Sequence, residues 1–361
     1  MDSCERTFLA LEHQPGDRIP IDVWLSKAMI QKITTTLGVT HEQFLDAYDV
    51  DLRYISGPEY IGPPLEKDTD IWGVKRRTIR VPVQNGTESY SEVAESPLAW
   101  AQSVADVEEY PRWPSPDWFD YGVVEAQCDA IRERGRVVVF MGDRLNRVAQ
   151  LKPAMYLRGD ANIFIDLAMN EEVAQAIFRE IREFYLVYIE RIMEAARGKI
   201  DVVLTGDDFG GQNGLLMSPD MWRRFLKPGF AEYVRCIKQY GVRVMHHTCG
   251  SVFEIIPDLI AAGLDVLQSC QPEAAQMGLA YLKTRFGDRL CFHGGLSIQQ
   301  TMPFGTPRAI RDEVSRIADL FRGSGGYIFC TAHNIQADTP IANVQALLSA
   351  YHACGGAQVG G

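Results

Sequence analysis

The segment Val244-Met-His-His-Thr-Cys-Gly250 places two metal-capable side chains, His247 and Cys249, two residues apart at the end of a short apolar run. Alternate side chains of an extended chain point to the same side, so an imidazole and a thiol at this spacing can address one ion, while His246 faces the other way. A lone His-x-Cys is also what a packed histidine beside an ordinary apolar cysteine looks like. The choice between the two turns on whether other polar groups converge on the same place.

Short apolar, β-branched runs recur along the chain: Ile19–Trp24, Leu52–Ile55, Val137–Phe140, Asp201–Thr205, Val242–Met245, Asp265–Gln268, Leu290–His293 and Tyr327–Cys330. Between most of them lie amphipathic stretches of helical length, at 162–168, 171–197, 219–240, 251–262 and 307–322, some opened by the cap-forming residues Asn170, Ser218 and Thr306. Eight strands alternating with helices predict an α/β fold of the (β/α)8 TIM-barrel type. An open doubly wound sheet would carry a glycine-rich fingerprint after its first strand, and the chain has none there. The stretch from about 58 to 118 breaks the alternation. In it, Asn85-Gly86 between alternating runs predicts a β-hairpin inserted after an early strand, and a Pro- and Trp-rich loop follows at 111–118. The chain, 1–361, is read as one domain.

A barrel gathers its site from the C-terminal ends of its strands. Here those ends carry Asp22 and Trp24, Asp143 and Arg144, Asp207 and Asp208, His247 and Cys249, Cys270, His293, and Cys330 with His333. The convergence favours a bound transition metal, with Zn²⁺ the expected ion for mixed nitrogen and sulfur donors. Asp207 and Asp208 are the candidate catalytic carboxylates, as fourth ligand, as orienting partner of an imidazole, or as a general acid raised by its neighbour. A carboxylate at a helix start is the plainer account of either. Trp24, Tyr54, Asp143, Arg144, Phe209 and Gln212 are the candidate substrate-binding residues, the aromatic ones suited to an apolar ring.

Composition bounds the partners. Hydrophobic residues at 46% and charged residues at 23% suit a soluble globular chain with a sizeable core. Lys+Arg 36 against Asp+Glu 47 gives −11, and the basic residues are dispersed, which speaks against nucleic acid or an anionic membrane as partner. The N-terminus has no basic region followed by an apolar run, and no segment reaches about 18 unbroken apolar residues, so a cytoplasmic location is expected. Eight cysteines without short-spaced pairs are expected as reduced thiols.

Arg6-x-x-Leu-Ala-Leu, Asp17-Arg-Ile-Pro-Ile, Leu216-Met-Ser-Pro219, His247-Thr-Cys-Gly250, Gly294-Gly295 and His333-Asn-Ile-Gln-Ala-Asp-Thr-Pro340 resemble the uroporphyrinogen decarboxylase superfamily over nearly the whole length. The resemblance implies a (β/α)8 barrel and one of two chemistries: cofactor-free decarboxylation of a tetrapyrrole, or zinc-dependent methyl transfer to or from a corrinoid or thiol. The decarboxylase branch implies an arginine-rich segment after the first strand and a Phe-Ser-Asp-type motif. The corresponding segments here, Val23-Trp-Leu-Ser-Lys-Ala-Met29 and Tyr54-Ile-Ser-Gly57, lack both. The methyltransferase branch implies His-x-Cys and a later cysteine as zinc ligands. His247 and Cys249 match the first part, whereas alignment on Asp338-Thr-Pro340 brings His333, not Cys330, to the last position. The implied ligand set is therefore His247, Cys249 and His333, with Cys330 as the substitute.

The implied partners are a small methyl donor, with a methoxylated aromatic the expected class, and a corrinoid (cobalamin) carried on a separate protein. The inserted hairpin would serve the docking of that protein or a homodimer. Two alternatives stand beside this reading: a metal-free decarboxylase or lyase acting on another substrate, and a non-catalytic barrel that binds a tetrapyrrole or corrinoid.

Overall fold

The computed structural model describes residues 1–83, 86–142 and 147–355. Seven of the apolar runs form one curled, all-parallel sheet whose spatial order follows the chain. Its strands are β1 (Leu52–Ile55), β2 (Val137–Phe140), β3 (Val202–Gly206), β4 (Arg243–His247), β5 (Val266–Ser269), β6 (Cys291–Leu296) and β7 (Tyr327–Thr331). Most of their residues are buried, because helices cover one face and the curled interior closes over the other. That is why the strands read as near-continuous Val, Ile, Leu and Phe rather than as alternating runs. One apolar cluster fills the interior between the strands (Leu52, Val139, Leu204, Met245, Val266, Ile328), and a larger one lies between sheet and helices.

The run Ile19–Trp24, expected as the first strand, makes one isolated parallel bridge, Ile21 to Phe329, and Leu25 just beyond it makes another, to Ile335. Pro20 supplies no N–H with which to extend a ladder. The segment nevertheless lies between the two edges of the sheet: Asp22 N–H donates to Phe329 O (2.8 Å) and Asp51 N–H to Ile21 O (3.0 Å).

The helices largely follow the expected ranges. The longest spans Glu171–Ala196, and Ser218 and Thr306 cap the helices that follow them by accepting from the backbone of Met221 and Ala309. The helix expected over 219–240 is two, Pro219–Phe225 and Lys227–Lys238, because Pro228 has no N–H to give to a preceding turn. Away from the parallel sheet, Lys75–Val83 pairs antiparallel with Gly86–Glu95, and Glu59–Tyr60 pairs with Phe119–Asp120. Asn85 of the expected turn lies outside the described residues.

The N-terminal side of the sheet is tied by one buried carboxylate. Asp51, wholly buried, accepts from Arg6 (2.6 Å), Arg18 (2.6 Å), the Ser3 hydroxyl (2.8 Å) and the Ile21 N–H (2.8 Å). Arg6 also pairs with Asp17, through Nε at 2.6 Å and Nη2 at 2.8 Å. One side chain thus joins the first helix (Ser3–Leu11), the 17–21 segment and the entry to β1. Removing one member of a buried ion network leaves the others desolvated and unpaired, at a cost of roughly 3–5 kcal/mol. Arg6 and Arg18 keep Asp17 and Asp49 as partners. We therefore expect Asp51→Asn to lose about 3 kcal/mol, the low end of that range, read as a lower urea midpoint at unchanged slope. A midpoint equal to wild type would show that the network adds nothing.

Candidate metal centre

β4 ends at His247, and its alternation decides where each ring goes. His246 turns toward the helices: it meets the Thr205 hydroxyl at 2.8 Å, stacks on Phe209 (5.3 Å between centroids) and meets Phe230 edge-on (5.0 Å). His247 turns to the mouth of the curled sheet, where its Nε2 lies 3.4 Å from Cys249 Sγ. The chain beyond β7 brings in His333, and its ring centroid lies 5.5 Å from that of His247. One donor atom each from His247, Cys249 and His333 lies within 4.8 Å of the other two. Two imidazoles and a thiolate suit a borderline-soft divalent ion and leave a coordination position open.

Burial sets the protonation of this group. It pushes His247 down to about 3 and Cys249 up to about 12, and it lowers His333. At neutral pH both imidazoles are therefore neutral, as ligation requires, and the thiol keeps its proton until an ion displaces it.

The two consecutive carboxylates have separate fates. Asp207 is buried, and its oxygens accept from the backbone N–H groups of Gln150 (2.6 Å), Leu151 (2.9 Å) and Lys152 (2.7 Å), at the start of the helix Leu151–Arg158. It is a helix-start carboxylate, and it also borders the larger of the two cavities beside the centre. Burial raises it to about 6 against the pull of those three donors. Asp208 faces the metal-capable group. Its Oδ1 lies 3.6 Å from His247 Nε2 and accepts the Cys249 N–H at 3.1 Å, while Oδ2 pairs with Lys152 at 2.8 Å. Burial works to raise Asp208, but His247 and Lys152 outweigh it and hold the carboxyl well below the usual range. Lys152, which the sequence did not single out, is thus part of the site.

Trp24 and Tyr54 are beside the centre. Trp24 stacks on His247 (5.8 Å, 30°) and meets His333 edge-on (6.4 Å), and its indole N–H donates to Tyr54 O at 2.7 Å. The Tyr54 hydroxyl donates in turn to Asp22, which His293 Nε2 meets at 2.8 Å. Cys330 belongs to this second, fully buried group with Asp22 and His293, not to the one containing His333. Residue 330 is still inside β7, paired with Gly295 of β6, whereas His333 follows the strand end. Asp22 already accepts from Tyr54, His293 and the Val23 N–H.

Two other expected residues fall elsewhere. Phe209 is in the core, stacked on His246 and edge-on to Trp222 at 5.6 Å. Gln212 is exposed, and its carbonyl accepts from Ala275 N–H at 2.8 Å. Asp143 and Arg144 lie outside the described residues.

His247 and His333 stand between two cavities. One, of about 420 Å³, is polar and includes Tyr90, Lys152, Tyr156 and Asp208. The other, of about 350 Å³, includes Val23, Trp24, Leu25, Tyr54 and Met141. Arg147 and Asn334 border both. Arg147 crosses the end of β3 at Gly206, where a Cβ would sit 2.5 Å from its Cδ. Asn334 follows His333 in the motif quoted above, whereas no spacing pattern marks Arg147 and the fold alone brings it here.

Comparison with known proteins adds the family. The family Uroporphyrinogen decarboxylase (URO-D) matches residues 147–354, more than half of the chain. Uroporphyrinogen decarboxylases from Psychromonas ingrahamii and Chromohalobacter salexigens are each 34% identical over 74 residues, 20% of this chain and 20% of theirs. The chain therefore aligns with only a fifth of the length of these relatives. Among solved structures, a methyltransferase from Methanosarcina mazei superposes with a TM-score of 0.72 at 18% identity, covering 98% of this chain and 99% of that one, which shows a shared fold. The chain belongs to the uroporphyrinogen decarboxylase family.

Proposed function

We propose that the chain is a zinc-dependent methyltransferase, moving a methyl group between a small methylated substrate and a corrinoid held on a partner protein, on a complete (β/α)8 barrel. In this reading the 19–25 segment is the eighth strand, since it bonds to both edges of the sheet. The observation that carries the proposal is the convergence of His247, Cys249 and His333 on one point between two cavities. The fold shared with a protein described as a methyltransferase supports it. So does the Val23–Met29 segment, which brings Trp24 and Leu25, not arginines, to the apolar cavity.

His247, Cys249 and His333 would hold the zinc, with Asp208 beside them. When bound, zinc supplies a Lewis acid that eases departure of an alkoxide, the difficult part of demethylating an ether. The protein does the rest by placement. Asp208, held ionised by Lys152, orients the Cys249 backbone. Trp24 walls the centre and, with Val23, Leu25 and Met141, offers an apolar face to a ring such as that of a methoxylated aromatic. The polar cavity on the other side of the histidines leaves room for the second reactant. A cytoplasmic setting and assembly as a homodimer belong to the same proposal; no helix among the described residues is long and apolar enough to cross a membrane.

A metal-free decarboxylase is the second reading, favoured by the decarboxylases that the chain partly matches. Metal analysis separates the two. Wild-type protein dialysed against a weak chelator should retain about one zinc per chain, as expected for a three-ligand centre. Cys249→Ser and His333→Ala, folded by circular dichroism, should each lose it. A folded, unstripped wild type without metal would sink the zinc reading. In turnover assays of methoxylated aromatics with a cobalt(I) corrinoid, stringent chelation should abolish methyl transfer and added zinc restore it. Activity undiminished by chelation would favour the decarboxylase-type chemistry.

A further inference from the structure

We propose that Gln268, at the end of β5, is the positioning residue of His247 and so sets the geometry of the metal centre. The inference rests on the metal reading above and concerns a residue that touches a ligand, not the ion.

Gln268 is wholly buried at the end of its strand, in register with His247. Its side-chain Oε1 meets His247 Nδ1, and its Nε2 has no hydrogen-bond partner. An amide oxygen can only accept, so Nδ1 must carry the proton and Nε2 must present its lone pair. That is the nitrogen lying 3.4 Å from Cys249 Sγ and 3.6 Å from Asp208 Oδ1. Gln268 thereby selects the ligating tautomer and fixes the plane of the ring, the task that the outer partner of a metal-bound histidine performs.

Zinc affinity would be measured by competition with a colorimetric chelator, and Co²⁺-loaded protein would report the ligand field. Gln268→Met keeps the bulk without the acceptor and is expected to weaken zinc binding by roughly 10–100-fold, with altered cobalt d–d bands. Gln268→Glu, which keeps an acceptor on Nδ1, should bind at least as tightly as wild type. Gln268→Glu also decides the matter where Gln268→Met does not fold. Wild-type affinity with unaltered bands in Gln268→Met, or weakened binding in a folded Gln268→Glu, would overturn this inference and leave the metal centre standing. A folded wild type that binds no zinc would overturn both.

Discussion

Three neighbouring parallel strands must hold one register for this site to exist. Gly206 of β3 pairs with His247 of β4, and His247 with Gln268 of β5, so the strand ends stand level. Everything at the mouth is counted from there: Asp208 two residues past Gly206, Cys249 two past His247, Gln268 directly alongside. A slip of one residue in β4 would exchange the faces of His246 and His247. The imidazole now packed between Phe209 and Phe230 would be driven into the mouth, and the one that meets Cys249 would be lost among the helices. Buried apolar residues along the strands make such a slip costly, so the packing of the sheet is also what enforces the chemistry.

Burial then determines how charge is distributed. Of the three metal-capable side chains His247 is buried and Cys249 and His333 are half-buried, and desolvation favours the uncharged form of each at neutral pH. The charges that do persist are compensated: Asp208 has Lys152, and Asp207 has three backbone donors at a helix start. The second group, Asp22 with His293 and Tyr54, satisfies its carboxylate internally. Trp24 touches both groups: its ring lies against His247 while its N–H is fixed by Tyr54.

The residues that carry the family resemblance divide between the two ends of the parallel strands. Arg6, Asp17 and Arg18 join Asp51 in the ion network on the N-terminal side of the sheet, far in role from any substrate. His247, Cys249 and His333 gather at the opposite ends of the strands. The ion network and the metal-capable group thus occupy opposite ends of one parallel sheet.

Much of this was legible in the chain itself. Continuous apolar runs separated by amphipathic stretches identify a buried parallel sheet, because strands covered on both faces have no reason to alternate. The pairing of His247 with Cys249, and the opposite aim of His246, follow from the two-residue period of an extended chain. Long-range placement was not legible. Cys330 and His333 are three residues apart and equally metal-capable, yet one closes against Asp22 and the other joins His247, a division set by where β7 ends. Asp207 and Asp208 are adjacent and chemically identical, and only the helix start at Gln150–Lys152 separates their roles. Local periodicity depends on the chain's own dihedral angles, so the sequence by itself determined the strands and the faces of their side chains. Which side chains meet depends on register and on helices docked from distant segments, and that only the tertiary structure decided.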